Sequence, residues 1–181
     1  MWRVHRHIGM GGDQLVTAVA GADAERRLGD ELRAASEEEF EPLRPECAPL
    51  EGAYELVAAL KERGLRVVLA SSANLDDLRY FVDELGIGDL VDGWTTSEDA
   101  ERSKPQPDIV HAALERAGTR DATMVGDSRW DVEAAAAAGL ETVCVITGGW
   151  SRQELRDHGA VAVFESLPDL RACLDETPLG R

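Results

Sequence analysis

The amino-acid sequence predicts an α/β protein: a Rossmann-like, mainly parallel sheet flanked by helices, with a small helical cap at its N-terminus. Three observations predict this. From Leu50 onward, short apolar runs alternate with amphipathic helical stretches, the rhythm of right-handed βαβ units. The stretch Thr123-Met-Val-Gly-Asp-Ser-Arg-Trp-Asp131 joins an apolar strand end, a glycine turn and a capped helix start. Before Pro49 no strand pattern occurs, only helical spacing.

Taken in order, Leu15, Val16 and Val19 mark a short helix starting near Asp13, which can serve as its N-cap. A second helix is expected from about Asp23 to Phe40, with Leu28, Leu32 and Phe40 on one face and Glu37-Glu38-Glu39 facing solvent. Pro42, Pro45 and Pro49 end this stretch as a linker, so residues 1–48 are expected to form a partial helical cap and 49–181 the α/β core. In the core, Tyr54 to Arg63 is an amphipathic helix closed by Gly64, and Leu65 to Ala70 is a strand. Asn74 caps a helix whose Leu75, Leu78, Phe81, Val82 and Leu85 share one face, ended by Gly86. Trp94 to Thr96 is a short strand and Ile109 to Ala117 a helix. The strand from Ala122 to Val125 follows, then the alanine-rich helix capped by Ser128 and stopped at Gly139. Thr142 to Ile146 is a strand, Ser151 caps a helix to about His158, Val161 to Phe164 is the last strand, and Leu167 to Leu174 the last helix.

Composition narrows the partners. Of 181 residues, 44% are hydrophobic and 30% charged, which suits one packed domain with a polar surface. Nineteen Lys and Arg against 35 Asp and Glu give a net charge of −16. Such a field repels nucleic acid and anionic membranes, so neither is an expected partner, and no apolar run reaches the length of a membrane span. Any anion site must be made locally, by a lysine, a metal or backbone N–H groups. Cys47, Cys144 and Cys173 are scattered and odd in number, which points to a reducing, cytoplasmic location. Gly11-Gly12-Asp13-Gln14 interrupts the only stretch that could imitate a signal peptide.

Three stretches could carry chemistry. Asp127 ends a strand and Asp131 follows four residues later across the turn, where open α/β sheets bind ligands. Two neighbouring carboxylates repel unless a cation lies between them, which suits a hard metal such as Mg2+, although a cap and a solvated Asp would look the same. Ser71 and Ser72 follow the strand ending at Ala70, and Asn74 caps the next helix; hydroxyls and free N–H groups there can cradle a phosphate, or be ordinary loop residues. In Ser103-Lys-Pro-Gln-Pro-Asp108 two prolines are expected to hold the backbone extended around Gln106 and to fix where Lys104 points. A lysine among carboxylates neutralises them and offers donors to a phosphoryl oxygen.

Together, in this order and spacing, these stretches resemble motifs two, three and four of the haloacid dehalogenase superfamily, and the resemblance covers essentially the whole chain. The helical N-terminal stretch is similar to the small cap of its phosphoglycolate phosphatase and β-phosphoglucomutase branch. The resemblance implies a Mg2+-dependent phosphohydrolase acting on a small phosphorylated metabolite through an aspartyl-phosphate. It implies that Ser71 bonds the transferring phosphoryl group, that Ser72 and Asn74 border it, that Lys104 bridges phosphate and nucleophile, and that Asp127, with Asp131 directly or through Lys104 or water, holds the metal. It also makes the cap loop His5-Arg-His-Ile-Gly-Met-Gly-Gly12 the specificity element, with His5, Arg6 and His7 facing substrate or packing, and Gly11 and Gly12 supplying a flexible, close approach. His5 and His7 lack a third ligand for a metal.

One departure bears on activity. The superfamily's nucleophile lies in an Asp-x-Asp-Gly-Thr type motif on a first, central strand, and no such sequence occurs here. The first central strand is expected to be missing, leaving the strands ending at Ala70 and Val125 two strand spacings apart, roughly 9.6 Å. The chain is thus expected to be a truncated or mis-started hydrolase, or a derivative that lost catalysis, with Asp13 the first substitute nucleophile to test. The competing reading is a non-catalytic phosphate-binding or interaction protein of the same fold. A two-component receiver is set aside because it carries the Ser, Lys and Asp elements in the opposite order. The sequence leaves open whether the protein is a monomer or a homodimer. Replacing Lys104 by Ala is expected to lose anion affinity with little loss of fold.

Overall fold

The computed structural model describes residues 2–180. Its first helices are α1 (Trp2–His5), α2 (Gly12–Ala20) and α3 (Ala22–Phe40), followed by a 3-10 turn over Glu41–Glu46. Gly11, not Asp13, takes the N-cap position of α2, with extended backbone and no side-chain cap. The carboxylate of Asp13 points across to another segment instead. Leu28 and Leu32, expected on one apolar face of α3, are 41% and 45% exposed, and Gly29 is the one buried residue of that helix. Phe40 packs near Phe81, their rings 6.4 Å apart.

The remaining elements alternate as their sequences predict: α4 (Ala53–Glu62), β1 (Val68–Leu69), α5 (Leu75–Leu85), β2 (Gly93–Trp94), α6 (Asp108–Ala117), β3 (Thr123–Gly126), α7 (Arg129–Ala137), β4 (Glu141–Val145), α8 (Arg152–Asp157), β5 (Ala162–Phe164) and α9 (Leu167–Ala172). The caps are local chemistry. Asn74 accepts from the N–H of Asp77 at 2.8 Å, and Ser128 and Ser151 form capping boxes with Asp131 and Glu154. Gly86 closes α5 in the left-handed region at φ 65°, which side chains other than glycine enter only at a cost.

All strand pairs are parallel, but they form two sheets, β1-β2 and β3-β4-β5. β1 and β3 do not pair with each other. The strand expected over Leu65–Ala70 shrinks to Val68–Leu69, because only those two residues find ladder partners, Gly93 and Trp94. Thr96, expected in the second strand, instead caps a short turn, Ser97–Asp99.

β4 shows how the layers form. Val143 and Val145 face one side, among Leu56 and Leu60 of α4 and Leu170 of α9. Cys144 faces the other, among Trp130 and Val132 of α7, Leu155 of α8, and Trp150. Alternation along a strand buried on both faces gives this split. Val143, Leu155 and Leu170 have no exposed surface, so each contributes about 1.5–3 kcal/mol by burial. In α7, Ala134 and Ala135 are likewise fully buried, and Ala134 packs on Ile109 and Val110 of α6. Small side chains there let α7 press close to its neighbours.

Candidate functional site

The carboxyl end of β3 carries a dense polar cluster. Gly126 ends the strand because a side chain there would collide with Asp131, whose Cβ lies 2.5 Å from where a Cβ would stand. Asp127 follows. Its Oδ2 accepts a hydrogen bond from Thr147 Oγ1 at 3.1 Å. Gly148 presses against the Asp127 backbone and carboxylate so closely that only glycine fits. Burial, and then the neighbouring Asp131 charge, push the Asp127 carboxyl above its ordinary value despite Thr147 and Lys104.

Asp131 is engaged through both oxygens. Oδ1 accepts from Lys104 Nζ at 2.7 Å. Oδ2 accepts from Ser128 Oγ at 2.7 Å, Ser128 N at 3.0 Å and Asp127 N at 3.2 Å. Burial alone would raise this carboxyl, but the Lys104 ammonium and the Ser128 donors hold it below its ordinary value. The two carboxylates are thus pushed apart: one anchored and charged, the other buried and short of positive charge.

Lys104 reaches Asp131 from a tight turn, not from extended backbone. The Lys104–Pro105 peptide is cis, and Gln106 N donates to Ser103 O at 3.1 Å. Pro107, in helical conformation, takes the N-cap position of α6. On β1's side, Ser71 is built into the loop. Its N donates to Thr95 Oγ1 at 3.1 Å, its carbonyl accepts from that hydroxyl at 3.0 Å, and its Oγ accepts from Ala73 N at 3.1 Å. Thr95 is fully buried beneath it.

A cleft of about 480 Å³ lies between α2, α3 and the loops after β1 and before α6. Ser72, Asn74 and Ser103 line it from the core, and Gly11, Gly12 and Asp13 from the end of the cap loop and the first turn of α2. Two basic side chains also line it, each paired: Arg33 with Glu25 and Asp30, and Arg44 with Asp77. Lys104, Asp127, Asp131 and Ser71 are not among its lining residues. The expected site residues therefore form two groups, joined through the consecutive pair Ser103 and Lys104.

The cap loop divides in the same way. Gly11 and Gly12 reach the cleft, whereas Arg6 and His7 dock on tryptophans. The Arg6 guanidinium stacks 3.6 Å from the centre of the Trp150 ring, and Nη2 donates to Glu154 Oε1 at 2.5 Å. His7 stacks on Trp130 with centroids 5.6 Å apart. His5 lies beside Gly149, with Nε2 3.0 Å from where a Cβ of that glycine would stand. Among the described residues, no group of three or more His, Cys, Asp or Glu side chains could hold a metal by itself. Mg2+ does not require one, since it keeps several waters and takes one or two carboxylates plus phosphate oxygens. Asp127, half-buried and left short of positive charge by its surroundings and Asp131, fits that demand.

Sequence reasoning missed four contributors: Thr147 and Gly148 against Asp127, Thr95 under Ser71, and Asp13 against Ser103. Thr147 and Gly148 follow the end of β4, so the strand-end rule that found Asp127 could have found them. Asp13 and Ser103 are far apart in sequence, and no local pattern links them.

Fold and site geometry define an α/β protein of parallel βαβ units with a helical appendage and a Lys–Asp pair at the sheet's carboxyl lip. The sequence profile of the haloacid dehalogenase-like hydrolases matches residues 3–139, and the chain belongs to that family. It is 34% identical over 121 residues to a phosphoglycolate phosphatase of Rhodospirillum rubrum, covering 66% of this chain and 50% of that one. It is 30% identical over 163 residues to the pyrophosphatase PpaX of Bacillus velezensis, covering 88% and 74%. A hydrolase from Pseudomonas syringae superposes with a TM-score of 0.89 at 29% identity, over 97% of this chain and 82% of that one. The chain spans about half the length of the phosphoglycolate phosphatase, 50%. No helix among the described residues is long and apolar enough to cross a membrane.

Proposed function

We propose that this chain carries the phosphate- and metal-holding part of a Mg2+-dependent phosphohydrolase for a small phosphorylated metabolite. The observation that supports this best is the buried Lys104–Asp131 pair beside an Asp127 carboxyl that lacks a compensating cation. In this reading Lys104 donates to a phosphoryl oxygen while Asp131 and Ser128 hold it in place. Asp127 would hold Mg2+, which supplies charge to the phosphoryl oxygens. Asp131, with both oxygens engaged, acts chiefly through Lys104 rather than as a direct ligand. Ser71 orders the loop after β1, and Ser72 and Asn74 face the substrate cleft. Residues 1–48 act as the cap and 49–181 as the core. The cysteines are free, which suits a reducing cytoplasm.

Attack on phosphorus, and an aspartyl-phosphate, require a carboxylate held in line with the leaving group. The sequence holds no Asp-x-Asp-Gly-Thr, and both oxygens of Asp13, the first substitute considered, accept hydrogen bonds from Ser103. Binding without turnover is therefore the second reading, and the commitment of Asp13 favours it for these 181 residues taken alone. Calorimetric titration with inorganic phosphate, with and without Mg2+, tests the proposal. Phosphate binding that Mg2+ strengthens and Lys104→Met/Asp131→Asn removes is the expected result. Equal affinity in both proteins would refute it.

A further inference from the structure

The cap loop grips both halves of the Lys104–Asp131 pair. Ser103, immediately before Lys104, is 6% exposed. Its N–H donates to Asp13 Oδ2 at 3.0 Å, and its hydroxyl donates to Asp13 Oδ1. Its Oγ also accepts from Gly11 N at 3.0 Å. Asp13, in the first turn of α2, thus satisfies the N–H and hydroxyl of this buried serine, and Gly11 of the cap loop donates to its oxygen. The backbone comes this close because position 11 is glycine; a Cβ there would overlap Ser103. Two residues earlier, Gly9 lies over Ser128 and Trp130, with Ser128 Oγ 2.9 Å from where a Cβ would stand. Ser128 is the residue that holds Oδ2 of Asp131. One short loop therefore touches the neighbour of the lysine and the support of its aspartate.

We infer that Asp13 is a positioning residue: through Ser103 it sets where Lys104 sits, and so couples the posture of the cap to the readiness of the phosphate site. A buried serine with two donors on one carboxylate is a rigid joint, because leaving those donors unpaired costs more than the bond itself is worth. When the cap loop lifts away, Ser103 loses these partners and the turn carrying Lys104 is freed. Asp13 keeps its charge in this joint. Burial would raise its carboxyl, but the Ser103 donors outweigh burial and hold it below the ordinary value. Charge also explains why the joint is one-sided. A neutral amide at position 13 has one oxygen where the carboxylate has two, so it cannot keep one acceptor oxygen on each of the two Ser103 donors.

This inference rests on Lys104 being the group that holds phosphate, and the experiment separates the two claims. Phosphate affinity in the presence of Mg2+ is measured by calorimetry for the full chain, Asp13→Ala, Asp13→Asn and Ser103→Ala. The same series is repeated in a Lys104→Met/Asp131→Asn background, with circular dichroism confirming fold. Asp13→Ala is expected to weaken phosphate binding roughly tenfold, Asp13→Asn by less, and Asp13→Ala/Ser103→Ala no more than Asp13→Ala alone. In the Lys104→Met/Asp131→Asn background Asp13→Ala should change nothing. The ε-ammonium resonance of Lys104 gives a second readout: it should broaden or shift in Asp13→Ala and recover partly in Asp13→Asn. If Lys104→Met/Asp131→Asn removes phosphate binding while Asp13→Ala leaves affinity and the Lys104 resonance unchanged, Asp13 positions nothing, although the phosphate site stands. If Lys104→Met/Asp131→Asn binds phosphate as well as the unaltered chain, the phosphate site itself is wrong and the inference falls with it.

Discussion

At the scale of single residues, environment decides which carboxylate does what. Asp131 is 5% exposed, and Lys104 is the cation it meets. Removing one partner of a buried pair strands the other's charge, so Lys104→Ala should cost about 3–5 kcal/mol in urea unfolding. Lys104→Met/Asp131→Asn should cost much less. The buried pair argues for a larger loss of fold in Lys104→Ala than the prolines alone suggest. Asp127 behaves in the opposite way. Its folded-state carboxyl is raised above the unfolded value, so its contribution is fully present below about pH 3.9 and is lost as pH rises through the folded pKa. At pH 7, without metal, this raised carboxyl destabilises the fold relative to an unshifted one. Asp127→Asn should therefore raise the melting temperature at neutral pH, and the gain should vanish below about pH 4. Mg2+ at a hundredfold its Kd should stabilise the unaltered chain by about 2.7 kcal/mol and the variant hardly at all. Parallel melting curves for the two proteins, with and without Mg2+, would show that Asp127 neither carries this strain nor binds the ion. Lys104, Asp127 and Asp131 were legible in the sequence because strand ends, glycines and prolines mark them locally. The Asp13–Ser103 contact was not, since only the folded chain brings those positions together.

At the scale of elements, the helix starts were the most legible feature and strand extents the least. A cap is decided within four residues, so Asn74, Ser128 and Ser151 cap where their sequences place them. A strand exists only where a partner lies beside it, so Leu65–Ala70 reads as a strand yet pairs over two residues. The apolar face of α3 was legible as a pattern, but Leu28 and Leu32 remain largely uncovered. Asn74 caps α5 and is proposed to border phosphate, and its substitutions can separate the two. Asn74→Ala should cost about 1 kcal/mol through loss of the α5 cap, whereas Asn74→Ser should keep most of that stability. If Asn74 also borders phosphate, both variants should bind phosphate more weakly in calorimetry, by a similar factor. Phosphate affinity that follows helix stability alone would leave Asn74 as a cap and nothing more.

At the scale of the whole molecule, the parallel α/β plan was legible from the alternation of elements, but the division of its sheet follows only from pairing. β4 is bonded on both sides, whereas β1 and β3 each keep an edge without a strand partner among the described residues. Unpaired edges expose N–H and C=O groups, exchange early and invite association. Amide exchange should therefore be slowest at Val143, Cys144 and Val145 and much faster at Val68 and Leu69. Sedimentation of the 181-residue chain should show association that grows with concentration. The same division bears on catalysis. Lys104 and Asp127 sit at the lip of one sheet and Ser71 beyond the end of the other, and the sequence holds no Asp-x-Asp-Gly-Thr to place a nucleophile between them. On the proposed reading this arrangement holds a phosphate ester, but positioning without a nucleophile leaves the largest part of the barrier in place. Turnover of p-nitrophenyl phosphate by these residues alone should therefore stay far below about 1 per second, the low end of ordinary enzyme rates. A version supplied with a strand ending in Asp-x-Asp-Gly-Thr should become both monodisperse and active with Mg2+. A well-folded, monomeric 181-residue chain that turns over at ordinary rates would mean that a carboxylate already present attacks phosphorus. Asp13→Asn would then be the first variant to assay, because Asp13, in the first turn of α2, lines the cleft beside Ser103.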